Sequence, residues 1–187
     1  MENSSNITTS SFWANLFKSP TTQNDLETML CSLPPFNQLK KKNTKELMKI
    51  IHTRVYSPNE YIFMEGDPGI GMYIVEEGEV VILKDLGNGI EEEFARFSKG
   101  DFFGELSTLF EDVRSASAKA VTDTKLAVMF RPDLDDFIDK YPKEGIKILR
   151  GFTHIVITRL RKMNEDYVAL KLKILKQNKE LQNVENQ

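Results

Sequence analysis

Cysteine and histidine are scarce here, with one cysteine, Cys31, and two histidines, His52 and His154, among 187 residues. A lone thiol excludes an internal disulfide framework. Two histidines far apart in sequence cannot supply the clustered ligands of a metal-dependent barrel enzyme, so no metal site is expected. No catalytic residue is assigned, because no nucleophile stands beside a base. Long apolar runs are missing too: nothing approaches the stretch of about 18 residues that a membrane helix needs. The start from Met1 to Ser11 is polar and lacks the basic-then-apolar order of a signal peptide. The expectation is a cytoplasmic protein with no membrane span.

What remains is ordinary globular material, 40% hydrophobic and 28% charged, enough for one domain with a helical extension. The net charge is −3, unevenly spread. Residues 1–145 carry 16 Lys and Arg against 24 Asp and Glu, and residues 146–187 carry 9 against 4. A basic helix can follow a nucleic-acid backbone, but the acidic remainder argues against nucleic-acid binding by the whole chain.

Hydrophobic spacing divides the chain in three. Phe12, Trp13, Leu16 and Phe17 form one face of a short helix, Asp25 to Leu33 a second before Pro34-Pro35, and Thr44 to His52 a third with Thr44 as N-cap. After Arg54 come short β-rich stretches: Tyr61 to Met64, Met72 to Glu76, Glu79 to Lys84, Glu93 to Phe97, Ser115 to Val121 and Lys125 to Phe130. Turn signals such as Gly66-Asp67-Pro68-Gly69 and Gly87-Asn88-Gly89 separate them. From Pro132 the pattern is helical again, broken at Pro142 and then continuous from about Lys143 to Leu181. The fold class is therefore α+β, mainly β: an antiparallel jelly-roll barrel flanked by N-terminal helices and a long C-terminal helix. Residues 1–32 are expected as a helical extension, 33–142 as the barrel and 143–187 as the long helix.

One run carries chemistry. In Gly100-Asp101-Phe102-Phe103-Gly104-Glu105-Leu106-Ser107-Thr108-Leu109-Phe110, a short helix interrupts the strands, with Val113-Arg114-Ser115-Ala116 following. Gly104 allows close approach to the backbone, and the free N–H groups of a helix's first turn suit an anion. The Arg114 guanidinium can take two phosphate oxygens, and the Glu105 carboxylate can accept from a sugar hydroxyl. The plain alternative is that Glu105 caps a helix, Arg114 is a solvated charge and Gly104 only makes a turn.

The run resembles the phosphate-binding cassette of cyclic-nucleotide-binding domains, the effector modules of the catabolite activator and protein kinase A regulatory-subunit type. In these F-G-E-L precedes a short helix and R-[STA]-A. Phe103-Gly104-Glu105-Leu106 and Arg114-Ser115-Ala116 reproduce both ends, and Glu65-Gly66-Asp67 and Met72 to Val80 match upstream elements, so the resemblance spans about residues 33–163. It implies that Glu105 holds the ribose 2′-hydroxyl, Arg114 the cyclic phosphate, and the backbone from Gly104 to Ser107 the remaining phosphate oxygens. Ser115 would lie near phosphate and base. Thr108 and Val113 depart from the family pattern, which commonly has an aliphatic residue and a proline there. The implied ligand is cAMP, with cGMP as the other choice, and no further cofactor is expected.

Along the long helix, Leu149, Val156, Met163 and Leu170 recur every seven residues, and Thr153, Leu160, Tyr167, Ile174 and Leu181 form a second series offset by four. This is an a/d seam, although such a stripe also serves packing within one chain. The resemblance favours a homodimer through this helix, which would also cover the base with Met163 and Asn164. The Asn164 amide can both donate to and accept from an adenine edge.

Three classes compete: a ligand sensor, a barrel enzyme, and a regulator or ligand-free interaction domain on the same fold. Histidine supply counts against the enzyme. The chain ends at Gln187, straight after the long helix, so no helix-turn-helix domain is expected. Nucleic-acid binding through the basic helix stays a minor reading, and the downstream protein partner is open.

Overall fold

The structure, a computed structural model, describes residues 26–87, 89–106 and 112–185, with side chains described as far as residue 178. Helices α1 (Leu26–Ser32) and α2 (Lys41–Met48) precede eight strands. The strands are β1 (Ile51–Tyr56), β2 (Tyr61–Phe63), β3 (Gly71–Glu77), β4 (Glu79–Asp85), β5 (Glu91–Ser98), β6 (Phe102–Phe103), β7 (Ser117–Ala120) and β8 (Thr124–Phe130). Helices α3 (Arg131–Lys140) and α4 (Pro142–Glu185) follow. The strands form two four-stranded antiparallel sheets, ordered β1-β8-β3-β6 and β2-β7-β4-β5, the two layers of a jelly roll.

Period-two alternation sorts residues between two cores. On β3, β6 and β8, Tyr73, Val75, Phe103, Leu126 and Val128 point into the barrel, where they meet Val80, Ala95, Phe97 and Ala118. Their alternates, Met72, Ile74, Phe102, Ala127 and Met129, point out to the helices and meet Leu30, Phe36, Leu134, Phe137, Ile148 and Phe152. One sheet is thus covered on both faces. That explains why Gly71 to Val75 reads as a continuous buried run rather than an alternating one. Each large side chain so buried contributes about 1.5–3 kcal/mol. Phe103 anchors the barrel interior, its ring stacked 5.1 Å from Tyr73 and 5.5 Å from Phe97.

Helix α4, about 66 Å long at 1.5 Å per residue, buries apolar side chains in the core only along its first third. Ile148, Phe152 and Ile155 are buried at helical spacing. Gly151 sits against the turn after α1: a Cβ there would meet the Pro35 Cα at 2.3 Å and the Pro34 oxygen at 2.5 Å. The heptad residues Leu149, Val156, Leu160, Met163, Tyr167, Leu170 and Ile174 are between 38% and 63% exposed. The seam is therefore a different face from the one that buries Ile148, Phe152 and Ile155. Leu181 lies in α4 but its side chain is outside the described residues.

Several boundaries correct the sequence expectations. The third helix spans Lys41–Met48, with Lys40 at its N-cap position, so Thr44 lies within the helix rather than capping it. Ile51 and His52 belong to β1, because they pair with Met129 and Val128 of β8. That long-range ladder overrides the local helical pattern. The two-residue strand β6, pairing with Ile74 and Tyr73, was not read from sequence at all. Ser115 and Ala116 precede β7 rather than lie in it. Pro142 does separate α3 from α4. The aromatic face around Phe12 and Trp13 lies outside the described residues. Among the described residues no helix is long and apolar enough to cross a membrane.

Gly151→Ala adds about 1 kcal/mol of helix propensity but drives a methyl into backbone, and overpacking of this kind costs about 1–3 kcal/mol. Urea denaturation should show a lower midpoint for Gly151→Ala. Gly145→Ala, where the nearest atom is a side-chain methyl of Ile138, should lose less.

Candidate ligand-binding site

The cassette begins where β6 ends. Phe103 turns into the barrel, and Gly104 follows with φ of +77°, a left-handed conformation that glycine adopts without strain. Space demands glycine as well. A Cβ at Gly104 would lie 2.9 Å from the Arg114 Nη1 and 3.3 Å from the Gly71 oxygen. Glu105 is buried, and the chain turns helical at Leu106, which is exposed. Ser107 and Thr108 lie outside the described residues.

Arg114 is only 3% exposed. Its Nη1 donates to the Gly104 oxygen at 2.9 Å and its Nη2 to the Gly71 oxygen at 2.6 Å. The guanidinium lies over the Phe63 ring at 4.2 Å and the Tyr73 ring at 5.6 Å. Burial pulls the Arg114 pKa down, opposed by Tyr73, Glu105 and Asp67. Arginine keeps its proton regardless, so the shift registers the cost of holding a cation away from water.

The Glu65-Gly66-Asp67 element fixes the backbone of Arg114. The Arg114 N–H donates to the Asp67 oxygen at 2.8 Å, and the Gly66 N–H to the Arg114 oxygen at 2.9 Å. The Asp67 carboxylate in turn accepts from the Met64 N–H at 2.7 Å, and Pro68 bridges Val113. Val113 therefore joins this clamp without the proline common in the family.

These residues open onto a cavity of about 570 Å³, within the range of small-ligand sites. Its walls are the cassette, Phe63 of β2, Ile82 and Lys84 of β4, Phe94, Ala95 and Phe97 of β5, and Val156, Arg159, Leu160 and Met163 of α4. Arg159 is the residue that sequence reasoning missed. Its Nη1 donates to the Glu105 Oε1, its guanidinium lies 5.4 Å from the Phe102 ring centre, and its Nε is buried with no hydrogen-bond partner. Nothing local marks Arg159, which stands beside Arg161 and Lys162 in a basic stretch.

Of the predicted site residues, Phe103, Gly104, Glu105, Leu106, Arg114, Ser115 and Ala116 all line this one cavity. Asn164 does not. It is exposed on α4, one position beyond Met163, which does line the wall. Among the described lining residues three side chains are cationic, Lys84, Arg114 and Arg159, against the single carboxylate of Glu105. Such a cavity suits an anion that also carries a hydroxyl.

Fold and cavity together define a ligand-binding barrel with the long helix as one wall. Residues 53–141 match the family model of the cyclic nucleotide-binding domain. A cyclic AMP receptor protein of Thermus thermophilus is 36% identical over 109 residues, which are 58% of this chain and 50% of that protein. A cAMP-dependent protein kinase regulatory subunit of Colletotrichum orbiculare is 36% identical over 120 residues, 64% of this chain and 29% of that one. The solved N-terminal domain of a transcriptional regulator from Streptomyces coelicolor superposes with a TM-score of 0.64 at 30% identity, covering 73% of this chain and 93% of that one. The chain spans half or less of the curated relatives just described. Its residues 53–141 form a domain of the cyclic nucleotide-binding family.

Removing one member of a buried ion pair costs about 3–5 kcal/mol, while removing both costs much less. Arg159→Met should therefore destabilise the protein towards the lower end of that range, since Glu105 keeps the nearby charge of Arg114. Adding Glu105→Gln should recover part of the loss. Denaturant titrations around this double-mutant cycle measure the coupling, and additive losses would mean that the pair is solvated.

Proposed function

We propose that the protein is a non-catalytic sensor of a cyclic mononucleotide, cAMP before cGMP, acting in the cytoplasm and passing occupancy to α4. The observation that carries this reading is the buried Arg114 beside Gly104, within one cavity with a carboxylate held by the long helix. A cyclic phosphate at Arg114 offsets the cost of burying that guanidinium. The ribose 2′-hydroxyl donates to Glu105, and the backbone from Gly104 to Ser107 completes the phosphate seat. Ser115 stands at the phosphate side, and Met163, with Asn164 beyond it, at the base.

The relatives named for cyclic AMP support the choice of adenine. A sensor rather than an enzyme is favoured by the lining groups themselves. Two guanidiniums, an ammonium and a hydroxyl suit an anion and a carboxylate suits its hydroxyl, but none is poised as a nucleophile with its base.

Occupancy reaches α4 through the Glu105 and Arg159 pair, because a hydroxyl arriving at Glu105 competes for the carboxylate that Arg159 holds. The output surface is the heptad stripe, for which we take a second copy of this chain as the partner. Seven a/d residues stand exposed on one face of α4, and Thr153, the polar member, donates its hydroxyl to the Leu149 oxygen of its own helix at 2.9 Å. A stripe so composed pairs with itself in a parallel coiled coil. The protein that reads the dimer is not assigned.

Calorimetric titration of cAMP tests the site. Arg114→Ala is expected to weaken binding by about 2–5 kcal/mol, the usual loss when one partner of a buried charge pair is truncated. An unchanged affinity would remove the phosphate assignment, and no binding by the wild type would favour a ligand-free interaction domain. Sedimentation tests the partner: the full chain should run as a dimer, and Leu170→Glu with Ile174→Glu, both on exposed positions, as a monomer. A monomeric wild type would overturn the seam.

A further inference from the structure

The groups that hold phosphate and ribose leave part of the cavity unassigned, and its chemistry is uneven. Once Gly104, Arg114 and the Glu105 and Arg159 pair are spoken for, the polar side chains left in the wall are Lys84 and Ser115, among apolar neighbours such as Ile82, Phe94, Val156, Leu160 and Met163. A base placed there meets one charged side chain. Lys84 sits on β4 with its Nζ fixed at the cassette edge, donating to the Ser115 oxygen at 2.8 Å and to the Glu65 Oε1 at 2.5 Å. An ammonium has three donors and no acceptor. Two are committed, and the third is available to whatever fills the cavity.

We propose that Lys84 is a specificity-determining residue that reads the base and favours a 6-oxopurine over a 6-aminopurine. The inference rests on the cyclic-nucleotide reading above and adds the chemistry of base choice. A donor-only group matches an edge made of acceptors. Guanine offers N7 and O6 side by side, whereas adenine places the N6 amino donor beside its N7. The one remaining N–H of Lys84 therefore finds an acceptor at either atom of the first edge, or is shared between them, and meets a competing donor on the second. Glu65 and the Ser115 carbonyl hold the ammonium in place, so the contact needs little further ordering of a long side chain. The consequence is a narrow margin between cAMP and cGMP, with Lys84 responsible for the cGMP share.

The test compares cAMP, cGMP and cIMP by calorimetry on the full chain. The third ligand keeps the 6-oxo group and lacks the 2-amino group. Lys84→Met is expected to weaken cGMP and cIMP alike by roughly 5- to 10-fold, the lower end of one good base contact, and cAMP by less than about twofold. Lys84→Gln introduces an acceptor and should move the ratio towards cAMP, which guards against a folding artefact in the first variant. Equal losses for all three ligands would overturn the assignment and give Lys84 to the phosphate. A loss for cGMP without one for cIMP would overturn it too, since O6 would not be the group read. A wild type that binds none of the three overturns the cyclic-nucleotide reading itself, a result distinct from either.

Discussion

A guanidinium cannot shed its charge, so burying one obliges the surrounding chain to supply acceptors, and in this fold that obligation falls on the backbone. Arg114 draws the Gly71 carbonyl at the start of β3 and the Gly104 carbonyl after β6 to the same point. Its own backbone is held by the Gly66 and Asp67 turn. The stretch from Gly66 to Gly71 and the end of β6, far apart in sequence, are thereby tied together at one residue, with the Phe63 and Tyr73 rings beside its cation. Gly104 follows from the same constraint, since any side chain there would displace the guanidinium. The cavity is thus shaped by interactions internal to the protein, which lowers the ordering cost of filling it.

The long helix depends on that arrangement at one remove. It is held to the barrel at two points of different character. Gly151 gives a steric seat on Pro34 and Pro35. Arg159, eight residues and about 12 Å further along, gives an ionic one at Glu105. A steric seat tolerates little displacement, whereas an ionic contact responds to whatever else competes for the carboxylate. The second point is the adjustable one.

How much of this was legible in the sequence follows from how local each signal is. The strands alternate and their turns carry Gly, Asn, Asp and Pro, so most were visible, and the cassette is contiguous, so its described residues were found together. β1 was hidden because Met48, Ile50 and Ile51 continue a helical spacing. Only pairing with β8, far along the chain, decides against it. Phe102 and Phe103 are too short a strand to show a period. Arg159 was missed because its partner, Glu105, lies 54 positions away and its neighbours are equally basic. Asn164 was placed by family comparison alone, and a one-residue offset on a helix turns a side chain by about 100°.

Val156, Leu160 and Met163 stand both on the heptad stripe and in the cavity wall. A side chain that faces two occupants cannot serve them independently, so whatever covers the stripe changes the free energy of filling the cavity, and the reverse holds by the same amount. For a self-pairing stripe this makes the protein's own abundance an input: diluting the chain would alter its apparent affinity for a small molecule that it meets one copy at a time. Dose and copy number would then be read on the same scale.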